Sequence, residues 1–260
     1  MITDHGRYPL LLGLAAIALG GAARTESRTS AAAGGDASVQ RVATLGAARS
    51  VHTATTLPSG EVLLVGGMAD GGGSMASVEL FDPAHNRVEP LAPLAERRAG
   101  HTATLLGDGR VLIAGGYNGE YLASLEVYDP ATRRFRPAGS LREGRSGQTA
   151  TLLPDGRVLF AGGVGRGWSF LRSAELYDPE TGRSRPVGAL RVPRESHTAT
   201  LLADGRVLVV GGHSGRRQQM QVTRAASSST RAPVGSRRLA RSRRRATSTT
   251  PSACLTAACW

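Results

Sequence analysis

The chain has 260 residues and a formal net charge of +12 at pH 7, enough length for one large domain or two small ones. All 32 basic residues are arginine, and ten of them lie in residues 215–260 without a single carboxylate, leaving 22 arginines against 20 acidic residues before that point. The body of the chain is thus nearly neutral and has no field to steer a polyanion, which excludes a specific nucleic-acid surface there. Both cysteines, Cys254 and Cys259, fall in the last seven residues, so the body has no disulfide, thiolate nucleophile or Cys metal ligand.

In chain order, residues 1–23 read as an export signal. Arg7 precedes an apolar run from Tyr8 to Leu19, and the small residues Gly20-Gly21-Ala22-Ala23 follow. That run is short for a membrane span and ends in residues a signal peptidase accepts, so a secreted, periplasmic or cell-surface protein without a stable membrane span is expected. Residues 24–42 are rich in Ala, Gly, Ser and Thr and read as a disordered leader.

A segment of about 48 residues then repeats, the signature of a tandem architecture whose units stack on one another. Copies run over 43–90, 91–139 and 140–188, and an incomplete fourth covers 189–212. Each opens with an Arg three residues before a His or its substitute: Arg49/His52, Arg98/His101, Arg145/Gln148, Arg194/His197. A Thr-Ala-Thr strand follows, then the turns Ser59-Gly60, Asp108-Gly109, Asp155-Gly156 and Asp204-Gly205. These predict tight two-residue hairpins with both residues at positive φ. The next strand is almost wholly apolar, as in Val111-Leu112-Ile113-Ala114, and so predicts burial on both faces. It ends at a double glycine, Gly66-Gly67, Gly115-Gly116, Gly162-Gly163 or Gly211-Gly212, which permits close backbone approach or a bulge. A variable loop leads to a third strand closed by Asp-Pro (Asp82-Pro83, Asp129-Pro130, Asp178-Pro179), and a fourth strand lies near Val88, Phe135 or Ser184. The recurring pairs Glu79/Asp82, Glu126/Asp129 and Glu175/Asp178 read as turn residues rather than acid–base groups.

Four short antiparallel strands per unit, with no helical periodicity, describe a propeller blade. The fold class expected is all-β: a partial β-propeller of three four-stranded blades plus the start of a fourth. His-Thr-Ala-Thr, Asp-Gly-Arg-Val-Leu, Gly-Gly and Tyr-Asp-Pro in this order resemble the bacterial form of the kelch repeat family. The resemblance covers about residues 43–212 and implies a propeller, usually of six or seven blades. It departs from the family in the fourth strand, where the usual aromatic, commonly Trp, is Val88, Phe135 and Ser184.

After Gly212 the repeat gives way to Arg, Ser, Thr and Ala, and residues 213–260 read as a disordered basic tail that is probed by a second reading, a change of frame. The absence of Lys implies a GC-rich gene, and Ala226-Ser227-Ser228-Ser229-Thr230 can be encoded GCG-TCG-AGC-TCT-ACG. Read from its third nucleotide, that string gives Val-Glu-Leu-Tyr. In the same frame, codons available to Cys254 through Trp260 give Pro-Asp-Gly-Arg-Val-Leu, the sequence of Pro154 through Leu159. A truncated or frameshifted product is therefore expected, with no evolved role for the tail arginines or cysteines.

The ligand-contact candidates are Arg98, His101, Arg145, Arg194 and His197, which recur near strand starts, and Trp168, in the most idiosyncratic loop, where an exposed ring can stack on a sugar or peptide. Recurrence in every unit favours a structural role for the Arg/His positions. Gln148 in place of His argues against metal or acid–base work, and His5, His85 and His213 have no companion at ligand spacing. Gly66-Gly67 and Gly71-Gly72-Gly73 lack the Gly-Lys-Ser/Thr of a phosphate loop. No catalytic residue, metal or cofactor is expected. The leading reading is a non-catalytic exported binding module for a protein or carbohydrate, with self-association through exposed ends of the arc. The alternative is a fragment of a carbohydrate oxidase resembling galactose oxidase, whose copper chemistry needs a Cys–Tyr crosslink that the repeats cannot supply.

Overall fold

The structure, a computed structural model, describes residues 39–215, 220–223 and 226–228. The expected signal, residues 24–38 of the leader and most of the tail lie outside the described residues. Unit one comprises β1 (Thr53–Thr56), β2 (Val62–Val65), β3 (Val78–Asp82) and β4 (Arg87–Leu91). Unit two comprises β5 (Thr102–Leu105), β6 (Val111–Ala114), β7 (Ser124–Asp129) and β8 (Arg134–Ser140). Unit three repeats the plan with β9 (Thr149–Leu152), β10 (Val158–Ala161), a small hairpin of β11 (Val164–Gly165) and β12 (Ser169–Phe170), then β13 (Ser173–Asp178) and β14 (Arg183–Ala189). Each is a four-stranded antiparallel sheet in meander order. The fold is all-β, a partial propeller.

Unit four continues past the last recognisable repeat residue. After β15 (Thr198–Leu201) and β16 (Val207–Val210), β17 (His213–Ser214) pairs with β18 (Gln221–Val222), and β19 (Ala226–Ser228) takes the third place in the sheet. Its register sets Ser227 opposite Val209 and Ser228 opposite Leu208. The matching pairs in unit three are Glu175 with Phe160 and Leu176 with Leu159.

The second strands of units two and three, β6 and β10, are buried on both sides because each is sandwiched between neighbouring units, and alternate residues serve alternate neighbours. Val111 and Ile113 join Leu63, Val65 and Leu80 of unit one in one core. Leu112 and Ala114 join Val158, Phe160 and Tyr177 of unit three in the next, and Leu159 and Ala161 join Val207 and Val209 of unit four in a third. Each core is thus shared across a seam; no unit owns one. The fourth-strand residue contributes according to its size. Phe135 packs on Tyr128 with ring centroids 5.0 Å apart, whereas Ser184 instead donates a hydrogen bond to Glu175 at 2.6 Å.

The hairpin between the first two strands differs from the expected two-residue turn. Gly109 N–H donates to Leu106 C=O at 3.0 Å and Leu106 N–H to Arg110 C=O at 2.8 Å, which closes a three-residue loop, Gly107 to Gly109. Gly109 has φ +84° while Asp108 is not in the positive region. This is a type I turn followed by a left-handed glycine. Pro58 and Pro154 suit its first central position, and the Asp carboxylate is occupied locally, accepting from Arg110 N–H at 3.1 Å and Nε at 2.7 Å.

The first strands β1, β5, β9 and β15 lie side by side along the inner edge, and β15 does not pack back on β1 as the other neighbours pack together. Just before these strands a chain of backbone hydrogen bonds links the units: Gly100 N–H to Val51 C=O at 3.1 Å, Gly147 to Gly100 at 2.9 Å and Ser196 to Gly147 at 3.3 Å. All four residues have positive φ, between +52° and +66°, a conformation glycine adopts freely and a β-branched residue resists. Val51→Gly should therefore raise the melting temperature, by a gain of about 1 kcal/mol, as measured by thermal denaturation; an unchanged or lower value contradicts the strain.

Candidate functional site

Five of the six sequence candidates lie inside the fold. Arg98, Arg145 and Arg194 are fully buried, and His101 and His197 nearly so. The guanidinium of Arg98 donates through Nη1 to the carbonyls of Gly115 (2.9 Å) and Ser124 (3.2 Å), and through Nη2 to Ser124 Oγ (3.2 Å) and Glu126 Oε1 (2.8 Å). Arg145 makes the same set to Gly162, Ser173 and Glu175, and Arg49 to Gly66, Ser77 and Glu79. The remaining carboxylate oxygen accepts a backbone N–H from the segment entering the unit: Gly46 at 2.6 Å, Ala95 at 2.9 Å and Arg142 at 2.7 Å.

Each pair is therefore a clamp between the entering chain and the third strand. The Glu of the recurring Glu/Asp pairs is its acid, and only the Asp serves a turn, accepting from the N–H two residues on in Ala84, Ala131 and Glu180. Burial pushes the Glu175 carboxyl up, but the Ser184 hydroxyl, the Arg142 N–H and the Arg145 guanidinium outweigh it and hold its pKa below the ordinary value. Removing one partner of such a buried pair strands the other charge, at a typical cost of about 3–5 kcal/mol.

The histidines act across seams. His101 Nε2 is hydrogen-bonded to Thr53 Oγ1 of the preceding unit at 2.9 Å, and His197 Nε2 to Thr149 Oγ1 at 3.0 Å. Gln148 makes its own link backward, donating from Nε2 to Ala114 C=O at 2.9 Å. A neutral side chain does this work in every case. His213, which stands alone in the sequence, pairs with Glu195 at 3.2 Å and packs edge-on to Phe170.

Trp168 is the exposed candidate, with 44% of its surface accessible. It sits in a single 3-10 turn, Arg166–Trp168, at φ +62°. Two residues that the sequence did not single out join it: Tyr117 and Tyr121, from the corresponding loop of unit two. Their centroids lie 5.0 Å from each other, and 6.4 Å and 6.1 Å from that of Trp168. The base is rigid, because Tyr117 exchanges backbone hydrogen bonds with Ala99 at 2.8 Å and 3.0 Å and its carbonyl also accepts from Ser74 Oγ at 2.7 Å. The available signal was two tyrosines in a variable loop of an aromatic-poor chain. Among the described residues, no three His, Cys, Asp or Glu side chains come together to hold a metal.

The residues that recur in every copy thus build the blades, and those that vary crowd one loop surface. A family model described as Kelch motif matches residues 97–142. That span is similar to one kelch repeat. No curated protein matches it. The matched span contains one buried pair of the clamp, Arg98 with Glu126, and the two tyrosines of the aromatic group.

Burial, and then the nearby Arg98 and His52 charges, lower the pKa of His101 to about 3. Burial and Arg194 lower that of His197 to about 4. Both rings therefore fold neutral and bind fewer protons than in the unfolded chain, where the value is near 6.5. Their contribution is complete above about pH 6.5 and falls as pH drops toward those lower values, by up to about 1.4 kcal/mol per histidine per pH unit. Melting temperature should decline from pH 6.5 to 4.5, and the double variant His101→Gln/His197→Gln should flatten that decline; an equal slope in both proteins would refute the assignment.

Proposed function

We propose that this chain is an exported, non-catalytic kelch-repeat module that binds another protein through the loop surface carrying Tyr117, Tyr121 and Trp168. The kelch motif and the propeller fold point to an interaction module, and kelch propellers are typically non-catalytic. The observation that carries the finer reading is an exposed tryptophan held in a left-handed backbone conformation beside two rings. Exposed aromatics on a rigid base supply contact area with little ordering to lose, and strained residues gather at functional positions. Among the described residues no helix is long and apolar enough to cross a membrane.

Screening the purified protein on arrayed peptides, with arrayed glycans alongside, tests the site. Trp168→Ala should lose at least tenfold in affinity for any peptide that is bound while keeping the wild-type melt. Binding that survives the substitution moves the site elsewhere, and binding confined to glycans replaces the protein ligand with a carbohydrate.

The reading of a frameshifted product is supported by the place of β19. Ala226–Ser228 lies within the segment whose codons can hide Val-Glu-Leu-Tyr, and it occupies the strand position that Ala174-Glu175-Leu176 fills in unit three. Peptide mapping of the protein from the culture medium checks export and tail together. The first residue should be Arg24, and peptides from the alternative frame should accompany or replace those of residues 229–260. A protein retained in the cytoplasm with residues 1–23 intact overturns export; a tail read only in the given frame from a sequence-verified gene overturns the frameshift.

A further inference from the structure

The two ends of the arc are halves of the seam that joins the units internally. In units two and three the second and fourth residues of the second strand face forward into the next unit, while the first and third face back. By that alternation Leu208 and Val210 face forward from unit four, and Val62 and Leu64 face back from unit one. Val210 is 41% exposed, and Leu208, Val62 and Phe81 are only partly covered. Leu64 is buried.

The polar links are halved in the same way. Thr198 occupies the position from which Thr53 and Thr149 reach a following His, and His52 occupies the position of that His. Ser196 C=O occupies the acceptor position that Val51, Gly100 and Gly147 fill, and Val51 N–H the donor position. A Cβ added at Gly66, Gly115 or Gly162 would lie 2.6, 2.5 or 2.7 Å from the carbonyl oxygen of the next unit's arginine; at Gly211 it would meet nothing within 4 Å among the described residues. That space has the shape of a following unit, and residues 213–260, in the frame given, hold no further copy of the repeat.

We propose that the forward face of unit four docks on the back face of unit one in a second copy of this chain, head to tail. The seam already seen three times fixes the geometry: His52 of one copy meets Thr198 of the other, and Leu208 and Val210 meet Val62 and Phe81. An interface of this heterologous kind closes into a ring when the rotation allows. Two copies bring eight units together, within the range of closed propellers, so the assembly is a dimer.

Light scattering on size-separated full-length protein reads the result. Wild type should have twice the chain mass. Val210→Arg and Val62→Arg, one on each face, should each run as monomers with an unchanged far-UV circular dichroism spectrum. Mixed in equal amounts they should recover the dimer mass, because one intact junction re-forms between the untouched face of each. Monomeric wild type overturns the proposal. So does a dimer that survives either substitution alone, which places the contact elsewhere or makes it symmetric, and so does a mixture of folded variants that stays monomeric. Should either variant lose its spectrum, Leu202→Arg and Thr56→Arg on the same two faces are read by the same criteria.

Discussion

A guanidinium taken fully out of water must satisfy its donors inside the fold, and much of this architecture follows from how Arg49, Arg98 and Arg145 do so. Each gathers two carbonyls, a serine hydroxyl and a glutamate. The carbonyls belong to the end of the second strand and the start of the third, so one side chain fixes the loop between them. The glutamate holds the entering backbone with its other oxygen. The planar, always-charged fork of arginine suits this many-partnered task better than lysine would.

That clamp also determines where variation can occur. With both ends of the loop between the second and third strands fixed, its middle can differ from unit to unit. Unit one has a glycine run, unit two two tyrosines and unit three a tryptophan on a short turn. The double glycines work at the same place, because the second glycine's N–H bonds to the next unit's arginine carbonyl, as Gly116 does to Arg145 at 2.8 Å. A side chain on the first glycine of a pair would collide with that carbonyl. Recurrence thus belongs to the frame, and idiosyncrasy to the surface that frame presents.

Much of the fold was legible because its determinants are local and repeated. Apolar second strands, paired glycines and Asp-Pro corners each signal one element. The hairpin was misjudged by one residue because Asp-Gly suits a two-residue turn as well as the end of a three-residue loop. The residue before it, Pro58 or Pro154, was the better guide. The glutamates were misjudged for a different reason. Their partner lies about 30 residues earlier in the chain, and such pairings leave no local mark. The aromatic group was only one-third visible, since Tyr117 and Trp168 sit in different units and meet only when the units stack. Unit four shows the converse. Ala226–Ser228 has the composition of a tail, yet the exposed edge of β16 offers hydrogen bonds to any extended chain that reaches it.

Because every seam joins the same backbone atoms in the same order, a whole unit could be gained or lost in evolution while the surviving contacts kept their chemistry. The register of β6 or β10 allows no such freedom. Dropping a single residue from either strand would exchange its forward and backward side chains at once, setting Phe160 where Leu159 belongs and emptying two cores together. The grain at which this molecule tolerates change is thus the full repeat, and the length of the array is less constrained than the length of any strand within it.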